Sequence, residues 1–129
     1  MKIVATTQTT KDIGDQGENL ACRLLQRRGY LIMDRNVRGR FGEIDIVAKK
    51  DEKYHFIEVR LRSNTTFGTP AETVNAKKRL RLKKTIEYYC MTKGVTRWQC
   101  DIVDIQPFTS LQKKKTSHKI IFYKNIPLA

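Results

Sequence analysis

The sequence predicts an α/β domain with a mixed sheet flanked by helices on both faces, in the order αβββαββ. Three observations predict it. Apolar residues recur at three- and four-residue steps in two segments, they alternate with polar residues in several shorter ones, and a strand-rich stretch separates the two helical patterns. With 129 residues, 40% of them hydrophobic, the chain suits one domain over 1–129 that buries about two-thirds of its unfolded surface.

Residues 1–11 are expected to be a flexible N-terminal segment. They hold a polar Thr/Gln tract where a secretory signal would have an apolar core, so a cytoplasmic protein is expected. From Asp12 to Arg28, Ile13, Gly17, Leu20, Ala21, Leu24 and Leu25 form one apolar stripe of a helix. Asp12 and Asp15 sit in its first turn and Arg27-Arg28 in its last, the order the helix dipole favours, and Gly29 stops it.

Leu31 to Met33 reads as a short strand, and Asn36 to Phe41, rich in arginine and glycine, as a turn. Gly42 to Ala48 alternates, with Glu43, Asp45 and Val47 on one face and Ile44, Ile46 and Ala48 on the other. After a charged turn over Lys49 to Lys53, Tyr54 to Arg62 alternates again, with Glu58, Arg60 and Arg62 on the face of Phe56. Ser63 to Pro70 is a polar loop. Ala71 to Lys93 predicts a helix about 34 Å long, with Val74, Leu82, Ile86 and Cys90 in register, ended by Gly94. Trp98 to Ile105 predicts a fourth strand, broken by Pro107; Lys113 to Lys115 a basic loop; and His118 to Tyr123 a last strand.

Composition narrows the function. The 26 basic and 13 acidic side chains leave a net charge of +13, which a polyanionic partner explains and folding does not require. Nucleic acid is the expected partner, against a merely soluble basic surface or an acidic membrane surface. The longest uncharged run, Ser63 to Ala71, is nine residues, too short to span a membrane, so no membrane partner is expected. Neither long helix offers the broad apolar face with flanking Trp or Phe that membrane-surface binding prefers. Cys22, Cys90 and Cys100 include no Cys-x-x-Cys pair and read as core residues; with only His55 and His118 to add, a Cys/His metal site is not indicated.

Three carboxylates stand out, because strands disfavour them: Glu43, Asp45 and Glu58 fall on or beside central strands. Convergent carboxylates repel one another, and a hard divalent cation offsets the repulsion; Mg²⁺ is usually held by one or two carboxylates, with water and substrate phosphate completing its shell. The alternative is a solvent-facing sheet surface on which these acids pair with arginines. Glu18 falls on the inward stripe of the first helix as a possible third acidic ligand, or serves only as a dipole partner. Lys78 lies on the apolar seam of the second helix, four residues from Val74 and Leu82, where its ammonium can snorkel to the sheet edge and meet a phosphate; otherwise it is one of the exposed cations of 77–81.

Four motifs in order carry a resemblance: Gly17-Glu18-Asn19-Leu20-Ala21, Gly42-Glu43-Ile44-Asp45-Ile46-Val47-Ala48, Phe56-Ile57-Glu58-Val59-Arg60-Leu61-Arg62-Ser63 and Phe67-Gly68-Thr69-Pro70. Over residues 13 to 105 the chain resembles the YraN-like family of small bacterial proteins. That family looks like a branch of the PD-(D/E)XK restriction-endonuclease-like fold, close to archaeal Holliday-junction resolvases. The resemblance implies a restriction-endonuclease-like sheet, Asp45 and Glu58 as metal ligands for Mg²⁺ (or Mn²⁺), Glu18 as a further acidic ligand and Glu43 as an accessory acid. It implies DNA as substrate, branched DNA included, with Arg40, Arg62, Lys78 and Arg79 toward the nucleic acid, and it hints at a homodimer. Arg79 stands where the pattern often has glutamine.

One departure bears on mechanism. The family motif reads Glu-Val-Lys, and the third position here is Arg60. A guanidinium stays protonated, so Arg60 can orient a nucleophile and stabilise charge on the phosphorane but cannot deprotonate water. Two functions therefore stand side by side: a metal-dependent endonuclease using Glu18, Asp45, Glu58 and Arg60, and a catalytically degenerate nucleic-acid-binding accessory protein of the same fold.

Overall fold

The computed structural model describes residues 2–7, 17–61, 75–110 and 115–128. Strand β1 (Lys2–Thr7) is followed by helix α1 (Gly17–Arg27), strands β2 (Leu31–Gly39), β3 (Gly42–Lys50) and β4 (Lys53–Leu61), helix α2 (Ala76–Lys93), and strands β5 (Trp98–Ser110) and β6 (Lys115–Tyr123). The strands form one six-stranded sheet in the order β1-β6-β5-β4-β3-β2. Only β4 and β5 run parallel, as the α2 crossover between them requires.

The helices cover opposite faces, each over its own core. Leu20, Ala21, Leu24 and Leu25 of α1 pack on Ile46, Ala48, Ile57 and Val103. Leu82, Ile86, Tyr89 and Cys90 of α2 pack on Ile44, Val47, Phe56 and Cys100. Asn75 caps α2, its side chain accepting from the Lys78 amide at 2.9 Å. Gly94 ends α2 at φ 69, a left-handed conformation that glycine adopts without strain. The three cysteines are free and buried, and burial pushes their thiols up, to about 11 for Cys90.

Several boundaries depart from the sequence reading. Lys2–Thr7, within the segment expected to be flexible, forms a strand that pairs antiparallel with β6 from Lys2↔Tyr123 to Thr7↔His118. Strand β2 runs through the predicted turn to Gly39, leaving only Arg40-Phe41 to reverse the chain. It is an edge strand, so its Asp34, Arg35 and Arg38 reach water, and polar composition there does not argue against a strand. Strands β3 and β4 extend until only Asp51 and Glu52 separate them, both at positive φ (53° and 63°), as a two-residue hairpin of the primed type demands.

Helix α2 starts at Ala76, because Asn75 is already its cap, and is about 27 Å long at 1.5 Å per residue. Strand β5 continues past Pro107, which pairs with His118. The β4 ladder ends at Leu61↔Ile105, so beyond it, among the described residues, β5 pairs only with β6, and on its other side a missing N–H costs no described ladder bond. Strand β6 begins at Lys115, ahead of the predicted His118. Residues 12–16, 62–74 and 113–114 lie outside the described residues, and with them Asp12, Asp15, Arg62 and the Phe67-Gly68-Thr69-Pro70 motif.

Candidate functional site

The β3–β4 ladder runs from Lys50↔Lys53 to Ile46↔Ile57 and stops there. The next residues along the two strands are Asp45 and Glu58. On its other side β3 pairs Arg35↔Ile46 and Val37↔Ile44, passing over Asp45 and Asn36, and Asn36 sits at φ 52. Asp45 thus occupies the point where pairing opens on both sides.

Alternation also breaks there. Ile44 packs with Val47 against α2, while Ile46 and Ala48 face α1, so the expected grouping of Ile44 with Ile46 and Ala48 is corrected. The Asp45 carboxylate lies between the strands rather than on a face: its Oδ2 accepts from the Val59 amide at 2.8 Å, taking the place of a ladder bond. Desolvation pushes the half-buried Asp45 carboxyl up to about 6, against the lowering pull of the Val59 bond; Glu58, then Glu43 and Glu18, push it the same way as burial. Among the described residues no lysine or arginine forms an ion pair with it.

Glu58 has the opposite surroundings. On the α2 face of β4, only 15% exposed, its Oε1 accepts from Lys78 Nζ at 2.7 Å and stands 3.7 Å from Arg60 Nε. The helical phase of Lys78 does carry its ammonium to the sheet, where it meets a carboxylate. Arg60 Nε is itself buried and makes no hydrogen bond among the described residues.

The remaining predicted residues are placed as follows. Glu18 is held by β2: its Oε1 accepts from Arg35 Nε and Asn36 Nδ2, each at 3.0 Å. It acts on Asp45 through its charge. Glu43, exposed, pairs with Arg38 Nε at 3.2 Å. The Glu43–Arg38 pair follows the alternative in which strand acids meet arginines; Glu18 meets its arginine from the helix. Arg79 is half-buried on the first turn of α2, its amide bonded to Asn75 O at 3.0 Å. Arg40 is exposed at the β2–β3 turn, over the Phe41 ring. Arg62 lies outside the described residues.

A cavity of about 430 Å³ opens beside Glu58, lined by Glu43, Phe41, Lys77, Lys78 and Arg81 among others. Among the described residues no group of three or more His, Cys, Asp or Glu side chains is arranged to hold a metal ion. The donors Asp45 and Glu58 suit an ion that needs one or two carboxylates and takes water for the rest.

Sequence reasoning missed Asp104. It is 0% exposed and stands opposite Arg60 in the parallel β4–β5 register, on the strand face shared with Cys100 and Ile102. The period-two pattern of Trp98, Cys100 and Ile102 was the available signal, since it continues to Asp104. Arg35 and Asn36, the partners of Glu18, were missed because Asn36 read as a turn and Arg35 lay beyond the expected strand.

The model of the Uncharacterised protein family UPF0102 matches residues 17–105, from the start of α1 through the part of β5 that pairs with β4. The chain belongs to this family. A UPF0102 protein of Moorella thermoacetica is 46% identical over 101 residues, covering 77% of this chain and 84% of the relative. One from Carboxydothermus hydrogenoformans is 40% identical over 116 residues, or 90% and 95% of the two chains. One from Campylobacter jejuni is 42% identical over 94 residues, or 72% and 82%. The UPF0102 match contains Glu18, Asp45, Glu58, Arg60 and Lys78 and ends before β6. No described helix is long and apolar enough to cross a membrane.

Proposed function

We propose that this chain is a metal-dependent endonuclease-like protein that hydrolyses phosphodiesters of DNA, branched DNA included, in the cytoplasm. The observation that carries the reading is Asp45: a carboxyl raised to about 6 at the point where the ladder opens, among three other acids and without a basic partner among the described residues, one residue beyond the last β3–β4 pair. Asp45 and Glu58 would hold Mg²⁺ or Mn²⁺, which when bound supplies charge neutralisation and Lewis acidity toward a phosphate oxygen.

The chain's own groups divide the rest of the work. Val59 fixes one oxygen of Asp45 and leaves the other for a ligand. Lys78 and Arg60 converge on Glu58, so a phosphate arriving there meets two cations already in place. Arg60 stabilises charge developing on the phosphoryl group and orients the nucleophile; it takes no proton. Arg40, Arg62 and Arg79 neutralise phosphates along the strand, and the homodimer hinted at by the resemblance belongs to the same reading.

A second reading is favoured by one observation: both Lys78 and Arg60 already compensate Glu58, as in a site kept for binding after turnover is lost. Incubating the protein with linear, nicked and four-way-junction DNA, with and without Mg²⁺ or Mn²⁺, separates the two. The first reading expects metal-dependent nicking; binding to all three substrates with no nicking supports the second, and neither binding nor nicking contradicts both.

A further inference from the structure

The opposite end of β4 carries a second polar site, on the α1 face and about 10 Å along the strand from Glu58 at ~3.3 Å per residue. Its floor is Asp101, 2% exposed, whose carboxylate accepts from His55 Nδ1 at 2.8 Å, Gln99 Nε2 at 2.7 Å and the Asn125 amide at 2.8 Å. Burial works to raise this carboxyl, but the bonds from His55, Asn125 and Gln99 and the charge of Lys124 outweigh it and leave it below its ordinary value. An ionised Asp101 fixes Nδ1 of His55 as the donor nitrogen, so Nε2 is the ring nitrogen left for a ligand.

Cations converge on this floor. Lys124 Nζ, 3.7 Å from Asp101 Oδ2, also donates to the Tyr30 hydroxyl. Lys124 and Lys50 both stand over the Tyr30 ring, at 4.6 and 4.9 Å from its centroid. A cavity of about 590 Å³ is lined by these residues and by Lys53 and Arg97, with Asp51 the one carboxylate on its wall among the described residues. Four fixed cations against Asp51 and Asp101 leave a surplus of two positive charges. The volume lies within the ~300–1,000 Å³ of small-molecule sites.

Anchoring of the C-terminal segment explains only part of this. The Asn125 amide bonds Asp101, and the Ile126 amide bonds Cys100 O at 2.7 Å, which pins the segment to β5. Nothing in that anchoring calls for Lys50, Lys53 and Arg97 to face the same cavity, where like charges raise one another's energy unless an anion enters. A dianionic oxyanion matches the arrangement, since it accepts from an imidazolium backed by a carboxylate and from two ammoniums together.

We infer that this pocket binds the phosphate of a phosphate monoester, with His55 Nε2, Lys124 and Lys50 as its contacts. The site is independent of the Asp45 centre, and Lys124 and Asn125 lie beyond the region matched by the family.

The test follows the ring resonances of His55 by NMR in the full chain, with His118 as internal reference, at constant ionic strength. Probes are inorganic phosphate, a 5′-mononucleotide, the matching nucleoside, and short oligonucleotides with and without a 5′-phosphate. Expected is a saturable shift of His55 with the mononucleotide at millimolar concentration or below, and none with the nucleoside. Lys124→Met should weaken the mononucleotide at least tenfold and Lys50→Gln at least fivefold, while Lys93→Gln, an equal loss of charge at the end of α2, leaves it unchanged. Lys124 also helps pin the C-terminal segment, so Lys50→Gln keeps the inference testable if Lys124→Met does not fold. Tighter binding of the 5′-phosphorylated oligonucleotide than of the mononucleotide identifies a strand end as the source of the phosphate, and the reverse identifies a free ester; either outcome supports the site. An unmoved His55, equal effects of nucleotide and nucleoside, or equal weakening by Lys50→Gln and Lys93→Gln overturns it.

Discussion

Lys78 Nζ stands 2.7 Å from Glu58 Oε1, joining the first turn of α2 to β4 across the candidate cavity. The carboxylate is mostly buried and the ammonium partly exposed, which places the pair between a surface ion pair and a buried one. A double-mutant cycle with Glu58→Gln and Lys78→Met should show a favourable coupling of about 1 kcal/mol in denaturant unfolding. Additive effects within ~0.3 kcal/mol would show that the contact contributes nothing.

Asp45 predicts a pH signature of opposite sign to that of most carboxylates. Its carboxyl is raised from 3.8 to about 6 on folding, so the folded state holds the proton more tightly than the unfolded chain. Stability therefore falls as pH rises from about 4 to about 6, and the penalty is complete above that. A shift of this size corresponds to ~3 kcal/mol, which water reaching a half-buried group cuts to roughly 1–2 kcal/mol. Asp45→Asn, which can still accept from Val59, should unfold later than the native protein at pH 7.5 and equally at pH 4. A native protein more stable than Asp45→Asn at pH 7.5, without metal, would contradict this assignment.

The charge excess makes DNA affinity a function of salt. The exposed cations around the cavity, Lys77, Arg81 and Lys84 on α2 and Arg40 at the hairpin, release counterions when they neutralise phosphates. Affinity should fall with a logarithmic slope of about −0.9 per phosphate neutralised, with little dependence on sequence. Affinity measured from 50 to 300 mM salt checks it; a flat response, or no binding at the lowest salt, contradicts nucleic acid as the partner.

Periodicity reached the two-sided cores and the placement of Lys78, because Leu82, Ile86 and Cys90 mark a helix face and Phe56 marks the α2 side of β4. It failed at Asp45, where a residue turned into the gap between strands switches the face of Ile44, which no period-two pattern registers. Edges failed too: among the described residues β1 and β2 are the terminal strands of the sheet and the end of β5 pairs with one neighbour, so Asn36 and Pro107 are tolerated in strands although they read as turn and as strand breaker. The His55–Asp101 contact joins residues 46 apart through the parallel β4–β5 pairing, a relationship visible only once the α2 crossover is in place.

Arg60 constrains mechanism through its fixed charge. Arg60→Lys restores the motif ammonium and should retain or raise cleavage, whereas Arg60→Ala should lose on the order of 10²–10³ in rate by removing one preorganised donor. Undiminished cleavage by Arg60→Ala would give Arg60 no part in the chemistry.

The most direct measurement is single-turnover cleavage of a four-way-junction DNA with Mn²⁺ or Mg²⁺ at pH 7.5, comparing the native protein with Asp45→Asn after both are shown to bind the junction. The account predicts metal-dependent cleavage by the native chain and a loss of at least 10²-fold in Asp45→Asn. Cleavage that survives Asp45→Asn, or a native protein that binds the junction and never cuts it, would contradict it.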